Sequence, residues 1–165
     1  MDTVPFPVDV LKPIRGTAKP DADAIDIQIP FEPFALPAIG EIRTKLWIES
    51  TELPRSVSAL SCRRLALPSN PEPGYVDASM YIEHRHHIVD IHQIAFGERR
   101  ADTLPATFTC TILFSVEGLT GGENIEYADT PWQFTCLIDF EPVRDSELIA
   151  KERWFRKLAK RISRK

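Results

Sequence analysis

Two late segments alternate apolar and polar residues so strictly that each reads as a strand with one buried face. In residues 106–116, Phe108, Cys110, Ile112, Phe114 and Val116 are interleaved with Thr107, Thr109, Thr111 and Ser115. Residues 131–141 repeat the pattern with Trp132, Phe134, Cys136, Ile138 and Phe140. Successive strand side chains point to opposite faces, so apolarity at every second position buries one face and leaves the other to polar groups. The heptapeptides at 108–114 and 134–140, FTCTILF and FTCLIDF, agree at five of seven positions, as strands of similar burial in one sheet would. Two earlier stretches behave alike. Residues 24–31 set Ile25, Ile27, Ile29 and Phe31 against Asp26 and Gln28. Residues 40–50 set Ile42, Thr44, Leu46 and Ile48 against Arg43, Lys45, Trp47 and Glu49.

Fourteen prolines fall mostly between these runs, which suits sheets joined by irregular loops. The expected fold class is mainly β: an antiparallel β-sandwich or open barrel with a C-terminal α-helix. At 165 residues the chain fits a single domain, 1–165, with room for a core. Residues 1–22 read as a Pro-rich extended arm that Val4, Phe6, Val8, Val10 and Leu11 can pin down. Residues 23–143 read as the β-rich body, with 98–105 as a polar connection and 118–129 as a loop or short excursion. Residues 145–163 read as a basic amphipathic helix whose stripe is Leu148, Phe155, Leu158, Ala159 and Ile162. No apolar run approaches the roughly 18 residues of a membrane span. The acidic, proline-broken start MDTVPFPVDV does not read as a secretory signal, and three cysteines, an odd number, fit reduced thiols. A cytoplasmic location is therefore expected.

All four histidines, His84, His86, His87 and His92, fall within residues 75–97. β-branched residues between Ile82 and Ile94 favour a strand, yet the run far exceeds the typical strand of about 5–6 residues. Residues 83–87 contain no Gly, Pro or Asn, the usual residues of a tight hairpin, so a long strand bent or bulged near the histidines is expected. Its one face would carry Ile82, His84, His86, Ile88, Asp90, His92, Ile94 and Phe96; its other face would carry Glu83, Arg85, His87, Val89, Ile91 and Gln93. Two imidazoles on one strand face make good metal-ligand geometry. The spacing His84-x-His86, three residues, Asp90, six residues, Gly97 resembles the first half of the cupin motif. The resemblance covers residues 84–97. It departs from that motif where Asp90 stands for Glu, where Ala78 stands for a preceding glycine, and where no histidine follows His92. It implies a metal-dependent enzyme with one divalent ion held by His84, His86, Asp90 and His92 within a β-barrel.

Other catalytic patterns are incomplete. Cys110 and Cys136 sit on apolar strand faces, Cys62 has Arg63 and Arg64 beside it but no base, and neither a G-x-S-x-G elbow nor a phosphate loop is present. Charge is more telling. Residues 144–165 hold nine Lys/Arg and three Asp/Glu, net +6, whereas the rest holds eleven Lys/Arg and twenty-one Asp/Glu, net −10. An acidic body is poorly suited to nucleic acid and attracts a basic protein. The leading reading is a non-enzymatic, cofactor-free protein-binding module, immunity- or adaptor-like, whose partner is another, basic protein. Candidate contacts are Trp47 and Glu49 on a polar strand face, with Arg156 and Lys160 on the helix. The cupin-like enzyme is one alternative; a structural subunit of a larger assembly is another.

Overall fold

The computed structural model of the chain describes residues 2–20, 24–50, 52–122 and 125–142. The helix expected at 145–163, with Arg156 and Lys160, lies outside the described residues. Those residues form thirteen strands: β1 (Asp2–Pro5), β2 (Gly16–Pro20), β3 (Ile25–Pro30), β4 (Phe34–Leu36), β5 (Gly40–Ile42), β6 (Lys45–Ser50), β7 (Arg64–Ala66), β8 (Asp77–Ile82), β9 (Arg85–Phe96), β10 (Thr103–Leu113), β11 (Thr120–Gly122), β12 (Ile125–Ala128) and β13 (Thr130–Phe140). They also hold a 3-10 turn (Val8–Val10) and one α-helical turn, α1 (Val57–Leu60). The Ser56 hydroxyl caps α1 by accepting the Ala59 N–H at 3.2 Å, and Leu60 is its buried anchor.

Seven strands close into a barrel in the order β10-β13-β2-β3-β6-β8-β9, with β9 returning to β10. The mainly β fold expected from the alternation is present; where a sandwich or an open barrel was expected, the strands form a closed barrel. The length of β9 makes the closure. Its first residues pair with β8, while residues 88–96 pair with β10. The short β7 lies against the same strand at residues 93–95. Every neighbouring pair in the ring is antiparallel except β13–β2, where residues 138–140 run parallel to residues 16–18. At Gly16, the first residue of β2, a Cβ would lie 3.0 Å from Ile29 Cγ1 and 3.2 Å from the Gln28 carbonyl oxygen, so the backbone approaches β3 closely there.

The alternation read from sequence becomes the barrel interior. Ile25, Ile27, Ile29, Leu46, Ile48, Phe108, Cys110, Ile112, Phe134, Cys136, Ile138 and Phe140 are all buried. Phe134 stacks on Trp132 at 4.1 Å and on Phe108 at 4.9 Å between ring centroids. Three boundaries differ from expectation. β10 begins at Thr103, because Leu104 continues the inward row and residues 103–107 still have β13 to pair with. Val116, expected inward, is 60% exposed, since β10 stops at Leu113 and the chain turns at residues 115–117. The stretch expected as an arm contains a barrel strand, β2, whose Ala18 is fully buried.

One end of the barrel is stopped by aromatic rings. β1 pairs in parallel with β12, and β12 with β11, in a small separate sheet. Just after β1, Phe6 stacks on Phe114 at 5.1 Å and meets Tyr127 edge-on at 5.1 Å. Its N–H donates to Thr130 Oγ1 at 2.9 Å, which fixes the backbone as well as the ring. The β4–β5 hairpin adds Phe34, Leu36 and Ile42 to the same core.

Truncating the ring stacked against both Trp132 and Phe108 should be costly. Phe134→Ala is expected to lower stability by about 3–5 kcal/mol, by loss of transfer energy and by cavity formation. Urea unfolding measures this, and a loss under about 1 kcal/mol would show that the ring does not pack as described.

Candidate functional site

The histidine run is two strands rather than one bent strand. β8 and β9 form a hairpin in which Ile82 pairs with Arg85, so Glu83 and His84 are the entire loop. Both have positive φ, 51° and 65°, the pattern of a type I′ turn. That turn favours Asn-Gly, and a residue with Cβ in the left-handed region costs on the order of 1–2 kcal/mol. No local residue announces the turn; the right-handed strand twist on both sides selects it.

The hairpin redistributes the expected faces. His84 is at the exposed loop tip, and His86 lies outside the barrel, its ring 5.1 Å from that of its cross-strand partner Tyr81. His87 points inward and is fully buried, 4.9 Å from Phe114. Further along β9 a bulge opposite residues 109 and 110 of β10 leaves His92 without a register partner and shifts the alternation. Inward residues are therefore Val89 and Ile91 before the bulge, then Ile94 and Phe96 after it. Asp90 is outward but covered, accepting the Asn70 N–H at 3.0 Å and so fastening the loop at 68–74. His92 Nε2 lies 2.9 Å from Thr111 Oγ1, and its Nδ1 lies 3.7 Å from Asp90 Oδ2. The order threonine, imidazole, carboxylate is that of a nucleophile with its base and orienting group. The outer distance is too long for a hydrogen bond, however, and the carboxylate is engaged by the loop. Of the four expected metal ligands only Asp90 and His92 come together. Among the described residues no three His, Cys, Asp or Glu side chains gather as a metal-binding group.

The buried thiols are inert by environment. Burial pushes Cys110 and Cys136 up to about 12, with Asp90 adding to the effect at Cys110. Cys62 is exposed.

Trp47 and Glu49, the two candidate contacts within the described residues, line one cleft. They stand on the outer face of β6, where the same alternation that buries Leu46 and Ile48 must place them. Register then adds what a single strand cannot show. Glu49 pairs with Asp26 of β3 on one side and with Asp77 of β8 on the other, so three carboxylates stand in one lateral row. Like charges directly opposite each other destabilise a sheet. The ion pairs among the described residues lie elsewhere: Lys19, the next member of the row, bonds Glu141 at 3.5 Å, and Arg15 bonds Asp139 at 3.2 Å. Beside the row is a cleft of about 370 Å³ lined by Trp47, Glu49, Asp77, Ser79, Tyr81 and His86. Trp47 and Tyr81 also line a second cleft of about 340 Å³ with Lys45 and Arg43. The Lys45 ammonium lies 4.1 Å from the Trp47 ring centroid and donates to Gln28 Oε1 at 3.0 Å. The indole thus already engages one cation in this fold. No protein-family model, curated protein or solved structure matches this chain.

Two outcomes follow from the hairpin. Placing Asn-Gly at the loop (Glu83→Asn with His84→Gly) should raise stability by about 1 kcal/mol, because it removes two strained backbone positions. A decrease in thermal or urea unfolding stability would show that the loop is not type I′. The second outcome concerns His87, whose ring nitrogens reach no partner of full hydrogen-bond geometry. Burial, the largest influence, holds its pKa below the usual histidine value. Glu117 and the Leu113 backbone pull it upward, while Arg85 and His86 add to the depression. The unfolded chain therefore takes up a proton near pH 6.5 that the folded chain refuses, and stability falls as pH drops below that point. His87→Leu should stabilise the fold by about 1–3 kcal/mol and flatten the pH dependence between 5 and 7. Unfolding curves with equal pH slopes for both proteins would count against a neutral buried imidazole.

Proposed function

We propose that this chain is a non-enzymatic protein-binding module, immunity- or adaptor-like in character, that receives a basic segment of a partner on the outer face of β3, β6 and β8. The observation that carries this reading is the carboxylate row Asp26–Glu49–Asp77, which costs the sheet stability and has no ion pair among the described residues. A row that repels itself is relieved by a cation brought from elsewhere. The adjoining aromatic cleft offers Trp47 and Tyr81 to the aliphatic stem or guanidinium plane of an arriving Lys or Arg. His86 and Ser79 supply polar groups at the same opening. Free cysteines suit action in a reducing cytoplasm, and no helix among the described residues is long and apolar enough to cross a membrane.

The test is retention of native partner proteins by the immobilised full chain and by a variant carrying Glu49→Lys with Asp77→Lys. The parent should retain a basic protein that is released between about 0.05 and 0.5 M salt, as the screening length shrinks severalfold. The variant should retain at least about tenfold less, because the partner now meets like charge. Equal capture by parent and variant would place binding elsewhere on the molecule.

A further inference from the structure

The barrel wall parts beside its parallel seam. Along β13 the main chain addresses its two sides in turn: the Phe140 N–H donates to the Asp102 carbonyl next to β10, and the Glu141 N–H donates to the Ala18 carbonyl of β2. By that alternation the N–H and C=O groups of Gln133 and Thr135, and the Leu137 N–H, point toward the β2 side. β2 pairs only with residues 138–140, and these groups make no backbone hydrogen bond among the described residues. The sequence accounts for the gap. Upstream of β2, the Ile14 N–H donates to the Pro30 carbonyl and the Lys12 carbonyl accepts the Glu32 N–H, so both residues are turned to β3. The residue between them, turned to β13, is Pro13, which has no N–H to give. Between the two walls is a cleft of about 380 Å³ lined by Pro13, Ile14, Arg15, Pro105 and residues 135–137.

Unpaired edge main chain is a template for another chain, and sheets ordinarily blunt it with lysines, inward charges or bulges. Here the outward residues along the edge are Pro131, Gln133, Thr135 and Leu137, so a proline stands at its start and no charge follows before Asp139. Ile14 and Leu137, 47% and 42% exposed, give the cleft an apolar rim. The neighbouring outward residues of β10 are Pro105, Thr107, Thr109 and Thr111, and Arg15 is already held by Asp139 at 3.2 Å. A charged residue laid along this edge would lose hydration without gaining a counterion, so the complementary ligand is uncharged. We propose that the open edge of β13 receives an extended, uncharged segment of a partner protein by strand addition, with one apolar side chain of that segment seated between Ile14 and Leu137. Main-chain hydrogen bonds to residues 133–137 supply the affinity, and the cleft selects the side chain. β13 lies outside the acidic face of β3, β6 and β8, and the two surfaces bind by different chemistry.

The probe is a phage-displayed library of random heptapeptides, selected on the immobilised full chain. Selection should enrich uncharged sequences with apolar residues at alternate positions. Made synthetically, these peptides should bind the parent about tenfold more tightly than Thr135→Pro, which removes one edge N–H and leaves the β10 ladder whole. Leu137→Lys, which sets a charge at the exposed rim of the cleft, should weaken them by a similar factor. N-methylation of the peptide needs no protein variant and separates strand addition from simple burial of an apolar side chain. Methyl groups on alternate nitrogens of one parity should abolish binding, and those of the other parity should leave it largely intact. Peptides insensitive to N-methylation at every position, peptides bound equally by the parent and both variants, or a selection that enriches nothing would overturn the proposal. Basic peptides lost on Glu49→Lys/Asp77→Lys and retained on Thr135→Pro would overturn it while supporting the acidic face, so the two readings fail separately.

Discussion

A ring of seven strands cannot run antiparallel at every junction; one seam must be parallel. Here that seam joins β2, the first barrel strand, to β13, the last, and much else depends on it. The barrel has no closed form until its two most distant strands meet. That makes the fold rich in long-range contacts and, for its size, slow to assemble. At the start of β2, Gly16 lets the backbone come close to Ile29 and the Gln28 carbonyl of β3, while Ile138 of β13 stays at ordinary contact distance. The seam is flanked by two exposed ion pairs, Arg15 with Asp139 and Lys19 with Glu141. Such exposed pairs contribute little to stability. The seam also determines the height at which the chain leaves the barrel.

The interior was legible in the sequence because burial in a sheet is written with period two. Ile25, Ile27 and Ile29, or Phe134, Cys136 and Ile138, are inward for the same reason that they alternate. The period fails where a backbone event changes parity. At Glu83 and His84 the chain reverses without a glycine or asparagine to mark it, and at His92 a bulge inserts one residue. Between those two points the expected faces are exchanged, which is why His87 is inside the barrel and His86 outside it. Neither event has a residue-level signature, since both are imposed by the pairing of β9 with two different neighbours.

The candidate site was half legible. Trp47 and Glu49 are outward by simple alternation, so the sequence nominates them. Asp26 and Asp77 are separated from Glu49 by 23 and 28 positions, and nothing local links the three. Only strand order and register make them neighbours. The histidines show the opposite case: four close together in sequence are distributed over a loop tip, an outer face, a sealed interior and a bulge. Proximity along the chain was a poor guide to proximity in space because the hairpin and the bulge both intervene.

Closure pairs both sides of most barrel strands, but β13 meets β2 only at residues 138–140, so its residues 130–137 have no strand partner on that side among the described residues. The other edges among the described residues belong to strands of three or four residues, β1, β4, β5, β7 and β11. Capture of an extended peptide by strand addition needs a longer free edge, because its affinity comes from main-chain hydrogen bonds. On the proposed binding face of β3, β6 and β8, where the strands are paired on both sides, contact with a partner would fall to side chains of the outer wall. Such side chains can be exchanged one at a time without touching the ladder that holds the strands together, so partner choice can drift while the architecture stays fixed.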